Sequence, residues 1–219
     1  MSYNAKRIIL NILSGILAFC ITIMSIFLML GIVLNIVYVK TTVRGPSMQP
    51  TLNAYITNDK QDGDIVFVNR FCAYEIGDIV VVDNVSKHRT VIKRLIGLEG
   101  DMIQVREEGN DYQLLVNGDL LYRRSRLDSG ARMHYGAYLD YLDNHRGTAD
   151  VAINDKGEEC IKVGAGQCFI LGDNWGSSSD SMGYGTVDVG NIVGSAEFII
   201  PVGENVIIGV LKNLWEILT

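Results

Sequence analysis

The segment from Ile8 to Val39 carries no formally charged side chain, and no other feature limits the possible folds as sharply. Its centre, Gly15 to Leu34, is interrupted only by the hydroxyls of Thr22 and Ser25, which can bond back to helix carbonyls. About 20 apolar residues span a bilayer core of roughly 30 Å as a helix. A soluble amphipathic helix of that length would show a polar face, and this run shows none. A cleaved leader is disfavoured, because the run is too long and no small-x-small site follows it. The reading is a membrane anchor over 8–39, with residues 1–7 held in the cytoplasm by Lys6 and Arg7. Lys40 and Arg44 weaken that vote without reversing it. Residues 40–219 are then expected outside the cytoplasm.

That outer part holds 17 of the 19 Lys and Arg residues and all 25 Asp and Glu. Its acidity and the lack of a basic patch argue against nucleic acid as a partner. The four cysteines form no C-x-x-C pair and no metal spacing with the three histidines, so neither metal nor cofactor is expected. Cys160 and Cys168 are open to two readings, a disulfide or two separate thiols.

After Val39 the pattern turns strand-like. Runs rich in Val and Ile at 64–70, 78–84, 90–97, 101–107, 111–118, 167–174 and 190–200 are mostly separated by Gly-Asp or Asn-Gly. Short strands with turns between them and no intervening helices predict a mainly β fold: an antiparallel, barrel-like sheet domain behind one transmembrane helix. Residues 122–163, rich in Arg, Asp, Gly and Tyr, have weak periodicity and read as an inserted cap, with room for a hairpin of its own. Residues 204–219 read as an amphipathic C-terminal helix, lying either on the β core or on the membrane through Trp215.

The stretch Thr41–Leu52, TTVRGPSMQPTL, follows the anchor directly and offers a serine in a turn-rich setting. A serine needs a base within hydrogen-bond reach to act as a nucleophile. His88, His134 and His145 sit in polar segments and read as surface residues. A lysine serves instead when burial lowers its pKa. Lys93 is the candidate, because the strand period puts it on one face with Val91 and Leu95, while Arg94 shares the other with Ile92 and Ile96.

Four blocks then occur in order: GPSMQPTL (45–52), GDIVVV (77–82), VIKRLIGLEGD (91–101) and LGDNWGSSSDSMGYG (171–185). Together they resemble bacterial type I signal peptidases, membrane-anchored serine endopeptidases with a Ser–Lys dyad. The resemblance covers the anchor and most of the strands but not 122–163. It implies Ser47 as nucleophile, Lys93 as general base and the Ser47 N–H as an oxyanion donor. Ser178 matches the serine that orients the lysine, and Asp180 the aspartate that braces the site. Met48 matches as packing beside the nucleophile, and Asp173 and Arg94 count as supporting residues. Gly45 stands where some members add a serine hydroxyl to the oxyanion hole. Met182 stands where the family usually has an arginine paired to the aspartate, which leaves Asp180 to Arg94, to backbone donors or to solvent.

The substrates so implied are exported preproteins with small side chains one and three positions before the cut. Such a peptide would bind extended at strand edges near Ser47, Val82 and Asp83. The expected enzyme acts as a monomer on the bilayer surface, since the seven residues from Lys40 to Ser47 reach at most about 25 Å. Two other readings are a self-cleaving Ser–Lys regulator of the repressor type and a non-catalytic anchored β module. The first carries a DNA-binding helix-turn-helix where this chain has its anchor.

Overall fold

The computed structural model describes residues 3–53, 63–85 and 89–218. His88, one of the three candidate histidines, lies outside them. The chain divides into two units, Met1–Val39 and Lys40 onward.

The first unit is helix α1, Tyr3–Val37. Its stretch Leu10–Val37 is long and apolar enough to cross a membrane. Several of its polar side chains bond back to helix carbonyls, as a lipid environment demands. Thr22 Oγ1 donates to the Ala18 carbonyl at 2.9 Å, Ser25 Oγ to that of Ile21 at 2.5 Å, and Asn35 Nδ2 to that of Gly31 at 2.8 Å.

The second unit is built on two antiparallel sheets. One has seven strands in the order β1-β2-β12-β3-β4-β10-β11, where β1 is Tyr38–Thr42, β2 Ile65–Asn69, β3 Ile79–Val85, β4 Arg89–Leu98, β10 Gln167–Leu171, β11 Val187–Asp188 and β12 Ile192–Ile200. This sheet curls, so that Thr41–Arg44 and Thr90–Lys93 line opposite walls of one cleft. The other sheet runs β7-β6-β5-β9-β8, with β5 Met102–Glu108, β6 Asp111–Val116, β7 Asp119–Ser125, β8 Val151–Ile153 and β9 Glu159–Lys162. A shared core joins the two: Ile96, Phe169 and Leu171 from the first meet Ile103, Leu114 and Ile161 from the second. The opposite face of the curled sheet buries Val80, Val82, Leu95 and Ile170.

Every strand expected from the sequence is present. The region 122–163 is more than an inserted cap. It completes the five-stranded sheet with most of β7 and the β8–β9 hairpin, and it supplies helix α2, Ser129–His145. Weak periodicity concealed α2 because its buried positions are largely Tyr138, Tyr141 and His134 rather than aliphatic residues. Asp128 caps it by accepting from the Gly130 and Ala131 N–H groups at 2.8 and 3.4 Å. His134 is correspondingly a core residue, stacked on Trp175 with ring centroids 4.3 Å apart, and not the surface histidine its neighbours implied. The turn Ser181–Tyr184 forms α3 and Val206–Leu218 forms α4.

All four cysteines are free thiols. Cys160 lies in β9 of one sheet and Cys168 in β10 of the other, so the disulfide reading is excluded. Burial, with help from Asp188, pushes the Cys168 thiol up to about 12.

Candidate active site

Three segments converge on Ser47: the loop after β1, strand β4, and the loop that leaves β10. Gly45 opens the first with φ +81°, a left-handed conformation that favours glycine over any residue with a Cβ. A serine there would be strained, so Gly45 supplies no side-chain donor, and its carbonyl accepts from Asn53 Nδ2 at 3.1 Å. Met48 and Leu52 are fully buried and anchor the turn that presents Ser47. Asn53 and Asp64 close the loop's end reciprocally. The Asn53 N–H donates to Asp64 Oδ2 at 2.7 Å, and the Asp64 N–H to Asn53 Oδ1 at 2.8 Å.

Lys93 is 4% exposed, and its Nζ stands 2.6 Å from Ser47 Oγ. Burial lowers the Lys93 pKa by penalising the ammonium. The charges of Asp180 and then Asp173 oppose that shift without cancelling it. A lysine in this position holds its amine closer to neutrality than a surface lysine does, and it faces a serine hydroxyl at hydrogen-bond distance.

The loop after β10 fixes Ser47 from the other side. The Asn174 N–H donates to the Ser47 carbonyl at 3.0 Å, and its Nδ2 to the Pro46 carbonyl at 3.1 Å. The successive carbonyls of Pro46 and Ser47 are thereby tied to one residue. Sequence reasoning missed Asn174, although its place next to Asp173 in the Gly-Asp-Asn block was the available signal. Gly172 is the second omission. A Cβ there would run into both Ser178 Oγ and the Ser47 carbonyl oxygen, so only glycine fits. Among the described residues no backbone hydrogen bond engages the Ser47 N–H.

The supporting residues divide into two pairs of roles. Arg94 grips Asp173 with two bonds, Nε to Oδ1 at 2.8 Å and a terminal nitrogen to Oδ2 at 2.5 Å, while its other nitrogen reaches the Gly77 carbonyl at 2.5 Å. Asp180 is therefore not held by Arg94. It accepts from the backbone N–H groups of Gly172 at 3.0 Å and Met182 at 3.2 Å, the second as the cap of α3. Met182 is buried in the shared core with Trp175. Ser178 Oγ is buried and makes no hydrogen bond, to Lys93 or to any other described residue.

A cleft of about 260 Å³ runs from Ser47 and Lys93 between Thr41–Arg44 and Val81 with Thr90–Ile92. The two residues expected to bind a peptide at a strand edge differ. Val82 is fully buried and paired on both sides, to Val91 of β4 and Ile192 of β12, so it offers no edge. Asp83 lies just past the last β12 pairing and accepts from Thr90 Oγ1 at 2.5 Å. The described residues contain no cluster of His, Cys, Asp and Glu able to hold a metal ion.

Residues 16–201 match the profile of the family described as signal peptidase, peptidase S26. The chain belongs to that family. It is accordingly a serine-type peptidase. Signal peptidase I P of Bacillus subtilis subsp. natto is 32% identical over 201 residues, which cover 89% of this chain and 91% of the relative. Signal peptidase I of Bacillus licheniformis is 31% identical over 164 residues, covering 72% and 73%. Among solved structures, a signal peptidase I from Enterococcus faecalis aligns with 57% of this chain and 97% of its own, at 22% identity and a TM-score of 0.35.

Proposed function

We propose that this protein removes signal peptides from exported preproteins, with Ser47 as nucleophile and Lys93 as general base. The observation that carries the reading is the 2.6 Å approach of a buried lysine amine to the serine hydroxyl. Neutral Lys93 takes the proton from Ser47 Oγ as the oxygen attacks the scissile carbonyl carbon. The oxyanion so formed accepts a hydrogen bond from the Ser47 N–H. The Lys93 ammonium, favoured by the nearby charge of Asp180, then gives its proton to the leaving amine, and the mature chain departs. The signal peptide stays behind as an ester on Ser47. Water, deprotonated by Lys93, hydrolyses that ester and restores the serine.

The α1 helix anchors the enzyme, with residues 1–7 in the cytoplasm and the β unit outside. The cleft between Thr41–Arg44 and Thr90–Lys93 receives the extended end of the signal peptide. Its modest volume suits the small side chains that the Ser–Lys resemblance implies one and three positions before the cut.

The test is cleavage of a preprotein by purified full-length protein in proteoliposomes. Ser47→Ala and Lys93→Ala should fold and be inert, and wild-type activity in either variant overturns the dyad. Inhibitors that act through a catalytic histidine should have no effect.

A further inference from the structure

The family match ends at residue 201, and the chain goes on to form α4. One face of this helix is docked. Gly209 sits against Ile200, where even a Cβ would collide, and Asn213 Nδ2 donates to the Ile199 carbonyl at 3.2 Å. Lys212 at the margin pairs with Glu204. The opposite face is apolar as well: Ile207 is 71% exposed, Ile208 52%, Leu211 61% and Trp215 69%. At about 100° per residue these four fall in one stripe roughly 100° wide.

A surface helix in water turns charged and polar residues outward. Here the docked face carries a glycine and an asparagine, and the outward face carries the large hydrocarbons. We infer that this outward face lies in the membrane interface, giving the catalytic unit a second, peripheral hold on the bilayer. The occupant is lipid rather than protein because the chain reaches the bilayer anyway: Leu10–Val37 is long and apolar enough to cross it, and the β unit starts within three residues. A tryptophan beside aliphatic residues on one face, with the lysine at the margin, is also the composition that settles at a lipid headgroup boundary. The inference rests on the reading of α1 as a membrane anchor, and it adds a contact that restricts how the active-site cleft is turned towards the bilayer.

The experiment uses the full chain in phosphatidylcholine vesicles containing lipid brominated along its acyl chains. The protein has two tryptophans, and Trp175 is buried, so the emission lost in Trp215→Phe reports Trp215. The expected result is strong quenching of that component by brominated lipid and little by aqueous iodide. A double variant, Ile207→Glu with Leu211→Glu, should abolish the lipid quenching. It should also slow cleavage of a membrane-inserted preprotein several-fold while a short soluble peptide is cut at the wild-type rate. Quenching by iodide but not by lipid overturns the inference. So does protection from both with Ile207→Cys cross-linking between copies, which would make the face a dimer contact. Retention in vesicles after alkaline carbonate extraction reads the α1 anchor separately, so its failure is distinguishable from that of α4.

Discussion

Gly172→Ala offers the most direct test of how Ser47 is held. An alanine Cβ would stand 2.5 Å from the Ser47 carbonyl oxygen and still nearer to Ser178 Oγ. Rotation can take Ser178 Oγ out of the way, since it has no hydrogen bond to lose, but Ser178 Cβ at 2.6 Å stays where the backbone holds it. The Ser47 carbonyl cannot move freely, because the Asn174 N–H holds it at 3.0 Å. Ordinary contact begins at about 3.4 Å, so the β10 loop and the serine must separate by about 0.9 Å. Overpacking of this kind costs about 1–3 kcal/mol of stability. A displacement near 1 Å at a reacting group lowers turnover on the order of 100-fold. The assay pairs kcat on a signal-peptide substrate with urea denaturation, for Gly172→Ala and for Gly136→Ala as a control. Gly136 lies in α2 with open space around its Cβ position, so alanine there should leave kcat alone and stabilise by up to about 1 kcal/mol. Wild-type kcat in Gly172→Ala would refute the idea that Gly172 sets the position of Ser47.

The remaining predictions concern charge. The kcat/KM profile should rise with pH through the lowered pKa of Lys93, because the proposed base acts as the neutral amine. In Asp180→Asn, loss of the charge that raises that pKa should move the rising limb to lower pH, read from the pH–rate profile. Arg94→Ala strands the nearly buried Asp173 carboxylate and should cost about 3 kcal/mol, measured by urea denaturation. Burial lowers the His134 pKa to about 4, with Asp180 opposing the shift. Because the folded value is depressed, its contribution to stability is full above the unfolded value near 6.5 and fades as pH falls through 4. Relative to His134→Phe, the wild type should therefore lose roughly 3 kcal/mol between those limits, followed by denaturation at several pH values.

The parts legible in the sequence were those governed by short-range pattern. The uncharged run read as α1, the Val/Ile runs read as strands, and the alternation around Lys93 predicted its buried face. The helix α2 escaped because its inward stripe of Ala131, His134, Tyr138, Tyr141 and Leu142 mixes polar aromatics with aliphatics. The pairing Asp128–Ser129 was its available start signal. Asn174 and Gly172 act through contacts with a loop some 125 residues away, and no local pattern encodes those. The fate of Asp180 was equally non-local: only the fold decides that Arg94 turns to Asp173 and leaves the aspartate to backbone N–H groups.

The unpaired cysteines bear on how the protein can be made and handled. With every thiol free, the fold described requires no oxidant to form, and reductant should leave it intact. Cys160 and Cys168 are buried, and the high pKa of Cys168 keeps it unreactive at neutral pH. Cys72, half-buried just after β2, is then the one cysteine of the catalytic unit open to modification. It provides a native attachment point for a fluorophore or spin label once Cys20, exposed on α1, is replaced.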